Sequence, residues 1–277
     1  MTYNDSMQVT IIKPTSKLQF INLKELWPYR ELLFSFVKRD IQVRYRQTVI
    51  GGLWAIIQPL STMVIFSFFF GHLAKISGGG VPYPIFSYAG LLLWTYFTGA
   101  ISASSASMVA SAGLITKVYF PRIIIPMAAT ITGLLDYAVA SIVLIGLMLY
   151  YQIMPTGLIL LVPITLLLTW MLAMGMGFWL SAMNVKYRDI GYILPFFIQS
   201  MLFVTPVIYP SSIAPNFKFL LSLNPMTGII DAHRSMIIGG MPVNWGALGI
   251  SAILVLAILL TGSAYFKSVE KYFADII

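Results

Sequence analysis

Six windows rich in apolar residues punctuate the chain, at residues 52–73, 85–109, 123–150, 158–183, 193–209 and 245–266. A helix needs roughly 20 such residues to cross about 30 Å of hydrocarbon, so each window predicts a transmembrane helix, the fifth only just long enough. Upstream of the first window the period changes. Pro28 suits a first helical turn, and Leu32, Leu33, Phe36, Val37 and Ile41 recur at spacings of three and four, while Arg30, Lys38, Arg39, Arg44 and Arg46 lie elsewhere. This predicts an amphipathic helix lying in the inner interface, with Gly51-Gly52 letting the chain turn into the first span. Between spans five and six, "NPMTGIIDAHRSMIIGG" offers Asn224 as N-cap, Pro225 at the first position and Gly239-Gly240 as terminator. The helix between them, about 14 residues, is too short to cross and should lie at, or dip into, the outer face. The pattern predicts an all-α integral membrane fold: six transmembrane helices, an N-terminal amphipathic interface helix, and short outer-face helices between spans five and six. Residues 1–50 form a cytoplasmic segment and 51–277 one membrane domain.

Composition agrees. The 277 residues are 58% hydrophobic and 9% charged, with a mean hydropathy of +0.86, outside the range of soluble domains. No cysteine is present, which excludes disulfides and thiolate chemistry. The N-terminus lacks the short apolar core of a signal peptide, so nothing is expected to be removed. Charge then orients the spans. With the N-terminus inside, fourteen of the seventeen Lys and Arg fall on the cytoplasmic side, and only Lys75, Lys218 and Arg234 fall outside. Both termini are therefore expected in the cytoplasm. The basic residues of the interface helix can meet anionic headgroups or form a docking surface for a cytosolic partner.

The machinery of a self-powered pump is missing. No G-x-x-x-x-G-K-[ST] phosphate loop occurs, and the two histidines, His72 and His233, lie too far apart in sequence to suggest a metal site. One ionisable residue, Asp136, sits inside a span, more simply read as a protonated or hydrogen-bonded packing group than as an ion-coupling site. The chain reads as a transport pathway powered by another subunit. Phe196, Gln199 and Phe203 share one helical face in the fifth span, as do Phe66 with Phe70 and Trp94 with Phe97 in the first two. Rings with an occasional amide suit sugar faces and hydroxyls, and equally suit lipid or helix packing. Prolines at 59, 126, 163, 195 and 206 predict bent or interrupted helices. Small residues at Ala173, Gly177 and Ser181, and in "ISASSASMVASAG", predict close helix crossings. Asp231 and Arg234 can pair along the outer-face helix or meet a headgroup or glycan.

Five stretches, taken in order, carry a resemblance: "RDIQVRYRQTVIGGLWAIIQPL" at 39–60, "KVYFPRIIIP" at 117–126, "NVKYRDI" at 184–190, "TPVIYP" at 205–210 and "NPMTGII" at 224–230. With the hydropathy pattern, this set resembles the membrane subunit of ABC-2 type polysaccharide exporters, which move O-antigen, teichoic acid and capsular chains; the family often has Ser where Thr205 stands. The resemblance implies a homodimer in the cell inner membrane, working with two copies of a soluble ATPase that holds Mg-ATP, and no cofactor in this chain. It implies ATPase coupling through Arg39, Arg44 and Arg46 of the interface helix, through Lys117, Tyr119, Phe120, Pro121 and Arg122, and through Asn184, Tyr187, Arg188 and Asp189. It also implies that Phe66, Phe70, Trp94, Phe97, Phe196, Gln199 and Phe203 line a channel for an undecaprenyl-linked glycan. The competing readings are a drug or lipid exporter of the same class, an ion-coupled glycolipid carrier resting on Asp136, and, least supported, a membrane-embedded enzyme.

Overall fold

A computed structural model of the chain describes residues 23–46, 51–213, 217–239 and 241–273. Expectations about the N-terminal residues 1–22, the side chain of Lys218 and Gly240 lie outside the described residues. Among those described, every regular element is helical. The interface helix α1 runs Arg30–Arg46. Then come α2 (Gly51–Leu73), α3 (Tyr83–Ala110), α4 (Ile124–Tyr150), α5 (Gly157–Lys186), α6 (Ile190–Val204), α7 (Pro225–Ile238) and α8 (Trp245–Glu270). Of these, α2, α3, α4, α5 and α8 are long and apolar enough to cross a membrane.

The predicted fifth span comes out shorter than the hydropathy suggested. α6 has 15 residues, about 22 Å at 1.5 Å per residue, against the ~30 Å of a hydrocarbon core. The cause is local. Thr205 adopts extended dihedrals (φ −82°, ψ 135°) because it precedes Pro206, which disfavours a helical conformation there. Val207 and Ile208 then continue as a buried turn, apolar in sequence because protein covers them, not because they cross lipid.

α3 is the axis of the bundle. About 78% of its most apolar stretch is buried, against 28% or less in the other spanning helices, although its sequence is the least hydropathic of them. The two facts belong together, since a helix enclosed by protein can carry Ser, Thr and Tyr if its neighbours satisfy them. Tyr88 donates to the carbonyl of Ala140 at 2.9 Å and Tyr96 to that of Thr130 at 3.3 Å, both on α4. α4 and α5 flank α3, α8 packs outside α5, and α7 wedges against α3, α5 and α8; α2 lies on α3 and α4, and α1 crosses α4.

Small residues set the crossings. Ala173, Gly177 and Ser181 are all buried, and a Cβ on Gly177 would stand 2.4 Å from Ser104 Oγ of α3. The other face of α5 approaches α8 as closely: a Cβ on Gly262 would meet the carbonyl oxygen of Gly175 at 2.2 Å. The prolines divide. Pro126 falls in the first turn of α4, and Pro163 in the first α-helical turn of α5, which begins at Val162 after a 3-10 stretch; a missing N–H costs little at either place. Pro59 and Pro195 are interior to α2 and α6 and interrupt the hydrogen-bond ladder.

Candidate functional site

Both interior prolines border the same space. A cavity of about 590 Å³ lies between α2, α3, α4 and α6, with the end of α1 across one side. Its wall on α3 is formed by Leu92, Thr95, Tyr96 and Gly99, one helical stripe, and by Asp136, Tyr137 and Ala140 on α4. Gln58, Thr98 and Ser102 add an amide and hydroxyls. The Asp136 carboxylate is not alone. Arg44 Nη1 donates to one of its oxygens and the Tyr45 hydroxyl donates to the other, so the last turn of α1 is fastened to the middle of α4. A lone carboxylate at this depth is costly, and the guanidinium with the phenol meets that cost.

None of the seven predicted channel residues lines this cavity. Trp94 and Phe97 are each only 6% exposed and pack in the core, 5.9 Å between ring centroids, because they lie off the stripe that α3 presents to the cavity. Phe66 and Phe70 meet edge to face at 5.6 Å on α2, half-buried. Phe196, Gln199 and Phe203 do share a face of α6, but it is the exposed one; Pro195 and Ile198 face the cavity instead.

The predicted coupling residues also separate into two groups. In the 117–122 loop, Tyr119 is 92% exposed, with Lys117 and Val118 beside it, and Pro121 is half-buried. Phe120 turns inward and meets Phe36 of α1 at 5.7 Å, and Arg39 covers the same Phe36 ring at 4.9 Å while pairing with Asp40 at 2.8 Å. Arg122 faces α8: its backbone N–H donates to the Glu270 carboxylate at 3.0 Å and its guanidinium to the Glu270 carbonyl. Phe120 and Arg122 thus hold the loop and Tyr119 is what it presents. Asn184 is buried and donates to the Ser105 carbonyl at 2.9 Å. Tyr187, Arg188 and Asp189 are exposed after it, as is Arg46 at the end of α1.

On the opposite side, Arg234 does not face outward. It is 1% exposed; its Nε donates to the Phe86 carbonyl at 3.1 Å, Nη1 to that of Pro206 at 2.7 Å and Nη2 to that of Val207. Asp231 stands 3.8 Å away and the guanidinium lies over the Phe86 ring at 3.9 Å. The expected Asp231–Arg234 pair is present, but the cation's larger task is to satisfy the turn after α6. Asn224 does the same at a distance, capping α7 through Met226 N–H and donating to Thr205 Oγ1 at 2.8 Å. His233 is buried against Thr165 Oγ1 at 2.8 Å, and burial with the adjacent Arg234 charge pushes it down to about 3, so it stays neutral.

Arg44 and Tyr45 of the cavity, the 117–122 loop, Asn184 to Asp189 and the turn that begins at Thr205 all fall within the five stretches that carry the resemblance. Residues 31–238 match the ABC-2 type transporter family. Over 259 residues the chain is 27% identical to the O-antigen export system permease protein RfbA of Myxococcus xanthus, covering 92% of this chain and 98% of that one. A Klebsiella pneumoniae protein of the same description is 27% identical over 254 residues, covering 89% and 95%. The polysialic acid transport protein KpsM of Escherichia coli is 24% identical over 246 residues, covering 84% and 91%. With three quarters of its length inside the family's match, the chain belongs to the ABC-2 type transporters.

Proposed function

We propose that this chain is the permease subunit of an ABC exporter that carries a lipid-linked, O-antigen-like polysaccharide out of the cytoplasm. The reading is carried by end-to-end similarity to O-antigen export permeases. In it, two copies of the chain sit in the inner membrane with both termini cytoplasmic, crossing six times with α6 as the short fifth span. Two soluble ATPase subunits hydrolyse Mg-ATP against Tyr119, Tyr187, Arg188 and the exposed side of α1. The exposed stripe of Phe196, Gln199 and Phe203 on α6 then faces the path between the two copies, where rings stack on sugar faces.

Two observations weigh against the competing readings. Hydroxyls, an amide and an ion pair punctuate an otherwise mostly apolar lining, a mix that fits a lipid-linked sugar and gives a wholly apolar drug nothing to offer those groups. Asp136 has protein partners, so its presence does not call for a coupled ion. The test is purification from the native membrane in mild detergent. A stoichiometric partner bearing a phosphate loop, with vanadate-sensitive hydrolysis stimulated by glycan, is the expected result. Isolation of the chain alone, with transport abolished by Asp136→Asn, would favour the ion-coupled carrier.

A further inference from the structure

A second cavity, about 350 Å³, continues the first along the same two helices. The first lies against residues 92–102 of α3 and 133–140 of α4; the second lies against 103–111 of α3 and 129–132 of α4. It reaches Ser111, just before the 117–122 loop, and therefore lies on the side that carries the excess of Lys and Arg. One side chain, Arg44, lines both. We propose that Arg44, Tyr45 and Asp136 form a gate between the two cavities, and that a phosphate-bearing group opens it by taking Arg44 from Asp136. The proposal rests on the export reading above and adds the chemistry of the gate.

Three features carry it. Arg44 reaches into both cavities while its partner Asp136 lines the first, so the ion pair stands where the two meet and parting it would join them into one passage. Arg44 is 36% exposed and Asp136 29%, so the pair is reachable from the cavities it divides. A phosphate presents the same fork geometry to a guanidinium as a carboxylate does, with more acceptor oxygens and, as a diphosphate, more charge, so it is a ligand to which Arg44 can be transferred. Tyr45 leaves Asp136 one donor while Arg44 is engaged elsewhere. Beyond the gate, the Gln58 amide supplies a neutral donor, and Thr98 and Ser102, whose hydroxyls donate to the carbonyls of Trp94 and Thr98, turn lone pairs toward the sugar hydroxyls attached behind the phosphate.

The chain's lack of cysteine makes the test direct. Thr95→Cys places a single permease thiol in the inner cavity of the full complex in phosphatidylcholine nanodiscs, and labelling by a charged maleimide is timed. Arg44→Gln and Asp136→Asn are expected to label about tenfold faster than the parent, the exchanged pair Arg44→Asp with Asp136→Arg to return to the slow rate, and farnesyl diphosphate to bind the parent but about tenfold more weakly to Arg44→Gln. Farnesol is expected not to bind. Equal labelling in all four proteins overturns the gate, and equal farnesyl diphosphate affinity in parent and Arg44→Gln overturns the phosphate assignment. Phosphatidylglycerol added to the discs separates the sources: diphosphate binding that survives it assigns the site to a carrier lipid, and displacement assigns it to bilayer headgroups. Either overturning result in a complex that still exports glycan removes this inference alone. Failure to co-purify an ATPase removes the export reading and leaves the labelling comparison intact.

Discussion

Arg234 is a cation sealed from water whose donors are answered by carbonyls rather than by a second charge at close range. Arg234→Ala leaves the buried Pro206 and Val207 carbonyls without a donor and strips that of Phe86 of its second, and is expected to destabilise the protein by on the order of 3–5 kcal/mol, read as an earlier thermal loss of the monodisperse peak in detergent. Arg234→Lys should rescue little, since an ammonium lacks the planar fork that reaches three carbonyls at once. Gly90 belongs to the same arrangement. A Cβ there would stand 2.2 Å from Arg234 Nη2, so Gly90→Ala should reproduce much of the Arg234→Ala loss. Tyr119 is the opposite case, a large side chain touching almost nothing in its own chain. Tyr119→Ala should leave the melting behaviour within about 0.5 kcal/mol of the parent. Its affinity for the ATPase, measured by titration in detergent, should fall about tenfold if this ring is the contact. Charge reversal at Arg122 is a poorer probe because it would also release Glu270; Arg188 is the cleaner cation to reverse.

At the scale of elements, helix crossings are set by what is absent from their surfaces. Gly262→Ala pushes α8 against the backbone of α5 and is expected to cost about 1–3 kcal/mol, measurable as a lower unfolding midpoint, whereas Gly146→Ala, with open space around it, should be neutral. The sequence spacing of Ala173, Gly177 and Ser181 displayed one contact face of α5. The Gly175 face was not legible, because its partner lies more than 80 residues away and a single glycine carries no period. Hydropathy placed every spanning helix to within a few residues and overran only α6, where Val207 and Ile208 are apolar for reasons of burial. The interface helix was readable from its spacing, including Phe36 on the buried side. That Arg44 and Tyr45 turn back to Asp136 was not, since nothing local in "RYR" distinguishes a cation facing headgroups from one paired inside the bundle.

At the scale of the whole molecule, α1 and α8 converge on one loop. Phe36 near the start and Glu270 near the end grip Phe120 and Arg122 between them, so force applied at Tyr119 is delivered to α1, α4 and α8 together. If both ends are cytoplasmic, a fluorescent-protein fusion after residue 277 should glow and an alkaline phosphatase fusion there should be inactive, with the reverse for fusions after residue 78. Aromatic spacing did not point to the cavity, because a helical face is visible in sequence, whereas which neighbour it meets is not. The cavity's own marks were the charge in span three and the two interior prolines, both visible early.

The fork of Arg234 also has a consequence for how the protein is made. The carbonyls it satisfies belong to residues 86, 206 and 207, which leave the ribosome first and wait for a side chain synthesised later. The end of the bundle that Arg234 closes is therefore completed late in translation, after most of the spanning helices have been made. A nascent chain stalled just short of residue 234 is expected to remain open to proteases on that face, and a translation-arrest force sensor should record a pull as that residue reaches its place.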